Sequence, residues 1–472
     1  MKTALCSQSG FARQIDRYLN SVWYPVCLGA LCAFSGLGTS SRYTVCMGLI
    51  AVTVLLTVLF ASDMKPLFAP MLMSFCALGR DSNVSYGDQV GDVMLSYNDT
   101  AFCFVILLGI LAVTALLIRF WKDGTLLDIW QKGGMCGLSI LVMDVAFLFN
   151  GVGSADWVPI DIAYGALMAF GFTFFYFICV SIARRGENAA WYACVCMVCT
   201  ALLGIFQIGF VLWKQGVLAF PVDGEYRECI ELGWGIATSI PAYLVLGIPA
   251  AFYLAANHRY SLLSYLLAFG IFGGTVMLGS RGPILVGAAV MPIGIVACCF
   301  GKNKAVCRKV ALGILCLLPV LIWLIHQFVM PLPQLVQKFL EATRFDRLSM
   351  KDGRVTVWKG GLKHFYSAPL FGVGFDKGAV EGFHVLKNVF AKMYHNIFVQ
   401  FVAAMGIAGA LAFLLHLWQA GRLLRKPTAS KVLLLTLPLM IILMSLVDNF
   451  FFYLNQQIAY CMFLAVAERK DL

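Results

Sequence analysis

The sequence predicts an all-α polytopic membrane protein of about 12–14 transmembrane helices, and three observations lead there. Hydrophobic residues make up 61% of the chain, charged residues only 12%, and the mean hydropathy is +0.84. Soluble domains do not reach those values. Apolar runs of about 17–24 residues recur, the length that crosses a ~30 Å hydrocarbon core, whereas barrel strands would show ~10-residue alternation. One long polar interval, residues 331–400, interrupts the runs with ten Lys/Arg against five Asp/Glu.

In chain order, a basic lead containing Arg13 and Arg17 precedes the first apolar run without a small-residue cleavage site, so it reads as a cytoplasmic tail. Spans are expected near 21–38, 43–61, 66–79, 101–118, 133–150, 160–182, 189–213, 234–256, 261–279, 283–300, 310–329, 394–416, 432–447 and 453–467. The third and thirteenth are short. Cysteines such as Cys194, Cys196 and Cys199 lie inside apolar runs, where they act as small hydrophobes and imply no disulfide framework.

Short loops orient the chain. Arg119 with Lys122, Arg184 with Arg185, Lys302 to Lys309, Arg422 to Lys431 and Arg469 with Lys470 fall on one side if both termini are cytoplasmic. The whole chain, 1–472, then forms one integral membrane domain with a large external loop at 331–393. That loop holds ten basic residues between Lys338 and Lys392, a concentration long loops can carry without reversing the topology.

Within the loop, Pro331 and Pro333 turn the chain out of the membrane ahead of an amphipathic segment, Gln334 to Leu348. Val355, Trp358, Leu362 and Phe365 then recur at helical spacing, with Arg354, Lys359 and Lys363 beside them, as in a helix lying in the interface. Anionic headgroups account for part of this charge. They do not account for Arg281, at the tip of Gly279-Ser280-Arg281-Gly282-Pro283 between two apolar runs. Pro283 suits a first helical turn that Ser280 or Gly282 could cap, and a helix N-terminus beside a guanidinium favours an anion such as phosphate. Arg227 is external too, with Glu225, Glu228 and Glu231 as possible ion-pair partners, and His395 with Asn396 opens the span after the loop.

Fixed arginines neutralise a pyrophosphate leaving group, and histidine is the usual base for a hydroxyl near neutral pH. The chain has no Asp-x-Asp, no His-Glu-x-x-His and no Cys/His ligand spacing, which favours transfer without a metal or other cofactor. His364 and His384, in the same loop, are alternative bases. Gly372-Val373-Gly374 reads as a tight return after Pro369 rather than a phosphate cradle.

Ser280-Arg281-Gly282, Arg354 with Trp358, Ala368-Pro369-Leu370-Phe371-Gly372-Val373-Gly374, His395-Asn396 and Met405-Gly406-Ile407-Ala408-Gly409 come in an order that resembles the O-antigen ligase/polymerase superfamily of Gram-negative inner membranes, over roughly residues 205–415. The resemblance implies a multi-pass inner-membrane glycosyltransferase with a periplasmic active site and a large periplasmic loop before the His-bearing span. Its donor would be an undecaprenyl-pyrophosphate-linked glycan, and its acceptor lipid A-core or a lipid-linked glycan. His395 matches the family's base, and Arg281 and Arg354 its pyrophosphate-binding arginines. Arg227 is in a similar position to another, although the Pro-Asn that usually follows is replaced by Trp234-Gly235 nearby.

O-antigen ligase is the leading activity and O-antigen or polysaccharide polymerase the alternative, because both use the same donor chemistry. A lipid-linked oligosaccharide flippase or transporter is the reading from another class. It would require related halves and ionisable residues at mid-span. Asp144 is the obvious carboxylate inside an apolar run, no internal repeat is visible, and the charge is massed on one face. Membrane lipids are expected neighbours; nucleic acid is not an expected partner.

Overall fold

The computed structural model describes residues 10–37, 40–78, 99–122, 134–155, 157–214, 230–258, 260–329, 331–343, 353–377, 380–386 and 389–469. Helices α1 (Gly10–Leu19), α2 (Trp23–Gly36) and α3 (Ser40–Phe60) come first, followed by short turns around α4 (Phe68–Met73). Then come α5 (Asp99–Lys122), α6 (Gly137–Leu148), α7 (Ile160–Arg185) and α8 (Ala189–Lys214). A two-residue hairpin, β1 (Glu231–Leu232) and β2 (Gly235–Ile236), leads into α9 (Ser239–Leu244) and α10 (Gly247–Asn257). The rest of the bundle is α11 (Ser261–Met277), α12 (Arg281–Cys298) and α13 (Lys304–Leu324), then α14 (Leu332–Thr343) and α15 (Gly353–Ser367). Strands β3 (Val380–Leu386) and β4 (Val389–Met393) precede α16 (Ile397–Gly421), α17 (Ala429–Met444) and α18 (Leu454–Ala467).

This is an all-α polytopic membrane protein. Among the described residues six helices are long and apolar enough to cross a membrane, and six shorter apolar helices accompany them. Each expected span coincides with helical structure, but three are broken, the one near 394–416 at Gly406. The third, near 66–79, becomes a buried chain of short turns because Pro66 and Pro70 interrupt it. It still runs alongside α8: Lys65 Nζ donates to the Glu187 carbonyl (3.0 Å) and the Cys76 carbonyl accepts from Gln207 Nε2 (2.6 Å). The span near 234–256 splits into α9 and α10 and is the most enclosed of the long spans. By contrast α13 packs only near its start, at Cys307 and Ala311.

Basic residues gather where helices end. Arg119 donates to the carbonyls of Val58 (2.5 Å) and Ala61 (2.6 Å), and Arg469 to those of Ala183 (3.0 Å) and Gly186. Cations there complement the negative ends of α3 and α7 and satisfy carbonyls with no intrahelical partner. Arg281, at the N-terminal end of α12, lies at the opposite end of its helix from Asn303, which bonds the Ala256 carbonyl at the foot of α10.

Several polar groups inside the bundle are partnered across helices. The Ser139 hydroxyl donates to the Cys136 carbonyl (2.8 Å), so His416 Nδ1 donates to Ser139 Oγ (3.0 Å) and Nε2 accepts from the Tyr460 phenol (2.7 Å). One neutral imidazole thereby joins α6, α16 and α18. Asp144 accepts from the Thr173 hydroxyl, tying α6 to α7.

The loop contains helices in the two anticipated segments, α14 and α15, residues 344–348 of the first lying outside the described residues, and a feature not anticipated from the sequence. This is the antiparallel hairpin β3–β4, registered Val380 with Met393, Phe383 with Ala391 and Leu386 with Val389. The Val, Phe and Leu residues that favour a strand also fit a short amphipathic helix, and pairing across the hairpin decides between them.

Between the helical and strand parts, residues 368–376 form a strap that docks into a break in α16. Gly406 has φ 63° and ψ −154°, which ends the helical hydrogen-bond ladder for one turn. The strap supplies what the break removes. Val373 and Gly374 N–H donate to the carbonyls of Ala403 (2.9 Å) and Ala404 (3.1 Å), while Ile407 and Ala408 N–H donate to those of Pro369 (2.8 Å) and Leu370 (3.1 Å). Non-helical backbone within a membrane domain is tolerated where protein satisfies it in this way. The Gly372 turn anticipated after Pro369 is present, and it is also one side of an interlocked joint.

Candidate active site

His395 immediately precedes α16, and its backbone is left-handed at φ 51°, a conformation that costs a non-glycine residue about 1 kcal/mol or more. Bonds on both sides hold it there. Tyr394 N–H donates to Gln400 Oε1 (3.0 Å). Asn396 is the N-cap of α16, its Oδ1 accepting from Phe398 N–H (2.9 Å) and Val399 N–H (3.1 Å) while its Nδ2 donates to the Leu446 carbonyl (2.8 Å). Capping therefore belongs to Asn396 and leaves the histidine side chain for another task.

The turn after α17 is sewn to the same helix start. Ile397 N–H donates to the Ser445 carbonyl (2.7 Å), Phe451 N–H to Ser445 Oγ (2.8 Å), and Asn449 Nδ2 to Gln400 Oε1 (3.2 Å). The result is a contact between His395 Nδ1 and Asp448 Oδ1 at 2.9 Å. Asp448 Oδ1 also accepts from Asn449 N–H (2.8 Å), which fixes the orientation of its carboxylate. A carboxylate only accepts; Nδ1 therefore carries the proton, and Nε2 presents its lone pair. The histidine side chain is 27% exposed and that of Asp448 10%, so the pair is accessible mainly at the histidine.

Arg281 begins α12, as expected, with Ser280 at the N-cap position in extended conformation (φ −86°, ψ 113°). The expected capping by Ser280 does not occur, since its side chain makes no cap bond. Pro283, which has no N–H to satisfy, relieves part of the need. The next residue, Gly282, lies against the Val447 side chain: a Cβ added there would stand 3.2 Å from Cγ2. The hairpin tip that bears Arg281 thus abuts the turn that bears Asp448.

Arg354 is the second residue of α15, which packs along α16 at Gly361, about two helical turns further on. Trp358, on the same face one turn later, has an indole N–H with no partner among the described residues. Arg227 lies outside the described residues. Of the other histidines, His364 Nδ1 is 2.6 Å from the Tyr394 phenol, and His326 Nδ1 accepts from Leu332 N–H (2.9 Å) at the start of α14. No group of three or more His, Cys, Asp or Glu that could hold a metal occurs among the described residues.

Sequence reading missed Asp448. Its signal was an acid-amide pair, Asp448-Asn449, directly after an apolar run on the proposed external side, but nothing in the chain order links it to a histidine 53 residues earlier.

A histidine held on a carboxylate is a group that can deprotonate a hydroxyl, and a guanidinium at a helix N-terminus is one that can hold a phosphate. In comparison with known proteins, residues 266–414, about a third of the chain, match the family model described as O-antigen ligase. A comparison with curated proteins gives no match.

Proposed function

As residues 266–414 match the O-antigen ligase family and hold both Arg281 and His395, the chain stands in the O-antigen ligase/polymerase superfamily, and we propose that it is a ligase. In this reading it moves a glycan from undecaprenyl pyrophosphate to a hydroxyl of lipid A-core, on the periplasmic face of a bacterial inner membrane. The His395–Asp448 pair carries the reading. Asp448 fixes the imidazole in its Nδ1–H tautomer, and Nε2 takes the acceptor's hydroxyl proton as the oxygen bonds to the anomeric carbon. The anomeric carbon–oxygen bond to pyrophosphate breaks, and undecaprenyl pyrophosphate leaves with the bonding pair. Arg281, with Arg354 and Arg227, neutralises that charge. Both termini lie in the cytoplasm on this orientation, with the helix-end cations Arg119 and Arg469 on the inner side.

Asp448→Asn is expected to lower transfer by about 10²–10⁴-fold, since an amide can donate to Nδ1 and so stabilise the wrong tautomer. Turnover of the purified variant in lipid nanodiscs measures this, and activity within a few-fold of the parent would remove Asp448 from the mechanism. Arg281→Lys keeps the charge but loses the planar two-pronged donor, and is expected to raise the donor KM and lower kcat by about tenfold or more. Unchanged kinetics would mean that Arg281 serves the lipid headgroups.

The lipopolysaccharide ladder of a deletion strain tests the activity as a whole. Lipid A-core without any O-antigen is expected. Core carrying a single repeat would identify a polymerase.

A further inference from the structure

The Tyr394 side chain is fully buried beneath α15, and it joins that helix and the end of the docked strap to the start of α16. Its phenol donates to the Lys377 carbonyl (3.2 Å) at the end of the docked strap and lies 2.6 Å from His364 Nδ1 on α15. A phenol has one proton. With that proton on Lys377, Nδ1 must be the donor to the phenol oxygen, and it carries a proton in both the Nδ1–H neutral imidazole and the imidazolium. Burial pushes the Tyr394 phenol well above its ordinary pKa, so it remains protonated at any physiological pH. The bond therefore does not depend on the charge state of His364.

Steric fit makes the same contact close. A Cβ at position 361 would stand 2.5 Å from Val399 Cγ1 and 2.8 Å from Tyr394 Cδ1, so only glycine lets α15 lie this near the start of α16. His395 follows Tyr394 directly and is held in its left-handed conformation from both sides. What fixes the ring of residue 394 fixes the direction in which residue 395 projects.

Resting on the transfer reaction proposed above, we propose that Tyr394 and His364 are positioning residues: their mutual bond, with the Lys377 carbonyl, clamps α15 over the residue before His395 and holds the imidazole on Asp448. Neither touches the reacting atoms. On this view the external helix that carries Arg354 and the base at the mouth of α16 are set by one shared joint.

The test is a double-mutant cycle on the full-length protein in nanodiscs. The donor is a synthetic undecaprenyl-pyrophosphate glycan, and the acceptor is whichever of O-antigen-free lipopolysaccharide or lipid-linked repeat the parent turns over. Tyr394→Phe keeps the ring and removes the hydroxyl; His364→Leu removes the donor; His364→Asn restores an N–H near the place of Nδ1. Tyr394→Phe and His364→Leu are each expected to lower kcat about 10- to 100-fold, the double variant no further than Tyr394→Phe alone, and His364→Asn to recover most of the loss.

Thermal unfolding of the same five proteins, the parent included, reads the joint without using the reaction, and the Tyr394→Phe and His364→Leu substitutions are expected to be non-additive there too. Additive effects in both measurements, or single variants with parental kcat, overturn the positioning role. His364→Asn as inactive as His364→Leu, with a parental melting temperature, would instead make His364 a reacting group and also overturn it. Full turnover by His395→Ala would defeat the underlying transfer reading while leaving the unfolding cycle intact, so the two failures are distinguishable.

Discussion

His395→Ala is expected to reduce glycan transfer by about 10²–10⁴-fold, the usual contribution of a positioned general base, with the donor still bound. The expectation follows from how the histidines are engaged. His416 uses both ring nitrogens between Ser139 and Tyr460 inside the bundle. His326 spends Nδ1 on the backbone of α14, and His364 faces the Tyr394 phenol. His395 alone among these contacts a carboxylate, at 2.9 Å, in the arrangement that leaves Nε2 as acceptor. A partly exposed imidazole beside a carboxylate held by backbone is suited to take a proton and return it. Single-turnover transfer by the purified variant, alongside a donor-binding measurement, checks both halves. Near-parental transfer would end the assignment; loss of donor binding with parental kcat would recast His395 as a binding group.

Gly406→Ala is expected to destabilise the protein by about 3 kcal/mol or more, enough to abolish accumulation of folded protein in cells. Two costs combine. At φ 63° and ψ −154° the backbone occupies a region open essentially to glycine. The added Cβ would also stand 2.5 Å from the Leu370 carbonyl carbon and oxygen and from the Pro369 oxygen. All of these are backbone atoms already fixed by the strap's bonds to Ile407 and Ala408, so none can swing aside. Gly372 faces the same obstacle from the other side, where φ is 71° and a Cβ would overlap the Ala404–Met405 peptide. Gly313→Ala on α13, where nothing lies within 4 Å, is the matched control and is expected to be neutral or slightly stabilising. Thermal unfolding in detergent compares the three; equal melting temperatures for Gly406→Ala and the control would show that the joint does not support the fold.

Hydropathy determined the class and where the apolar helices fall along the chain, because a ~30 Å core demands long apolar helices whatever surrounds them. Motif order brought Arg281, Arg354, His395 and the glycines of 372–374 and 406–409 to attention, and Arg281 and His395 lie within the matched residues 266–414. What the chain alone did not reveal was pairing. Asp448 reads as one more polar residue after a span until the turn after α17 folds against Asn396 and Ile397. Gly372 and Gly374 read as a turn and Gly406 and Gly409 as a motif within a span until the strap and the broken helix exchange four backbone hydrogen bonds.

His364 likewise counted as a possible base until its distance to Tyr394 was fixed. Burial and span length are local sums over neighbouring residues, so sequence carries them. Hydrogen bonds between segments tens or hundreds of residues apart depend on which helix ends arrive side by side, and only packing decides that.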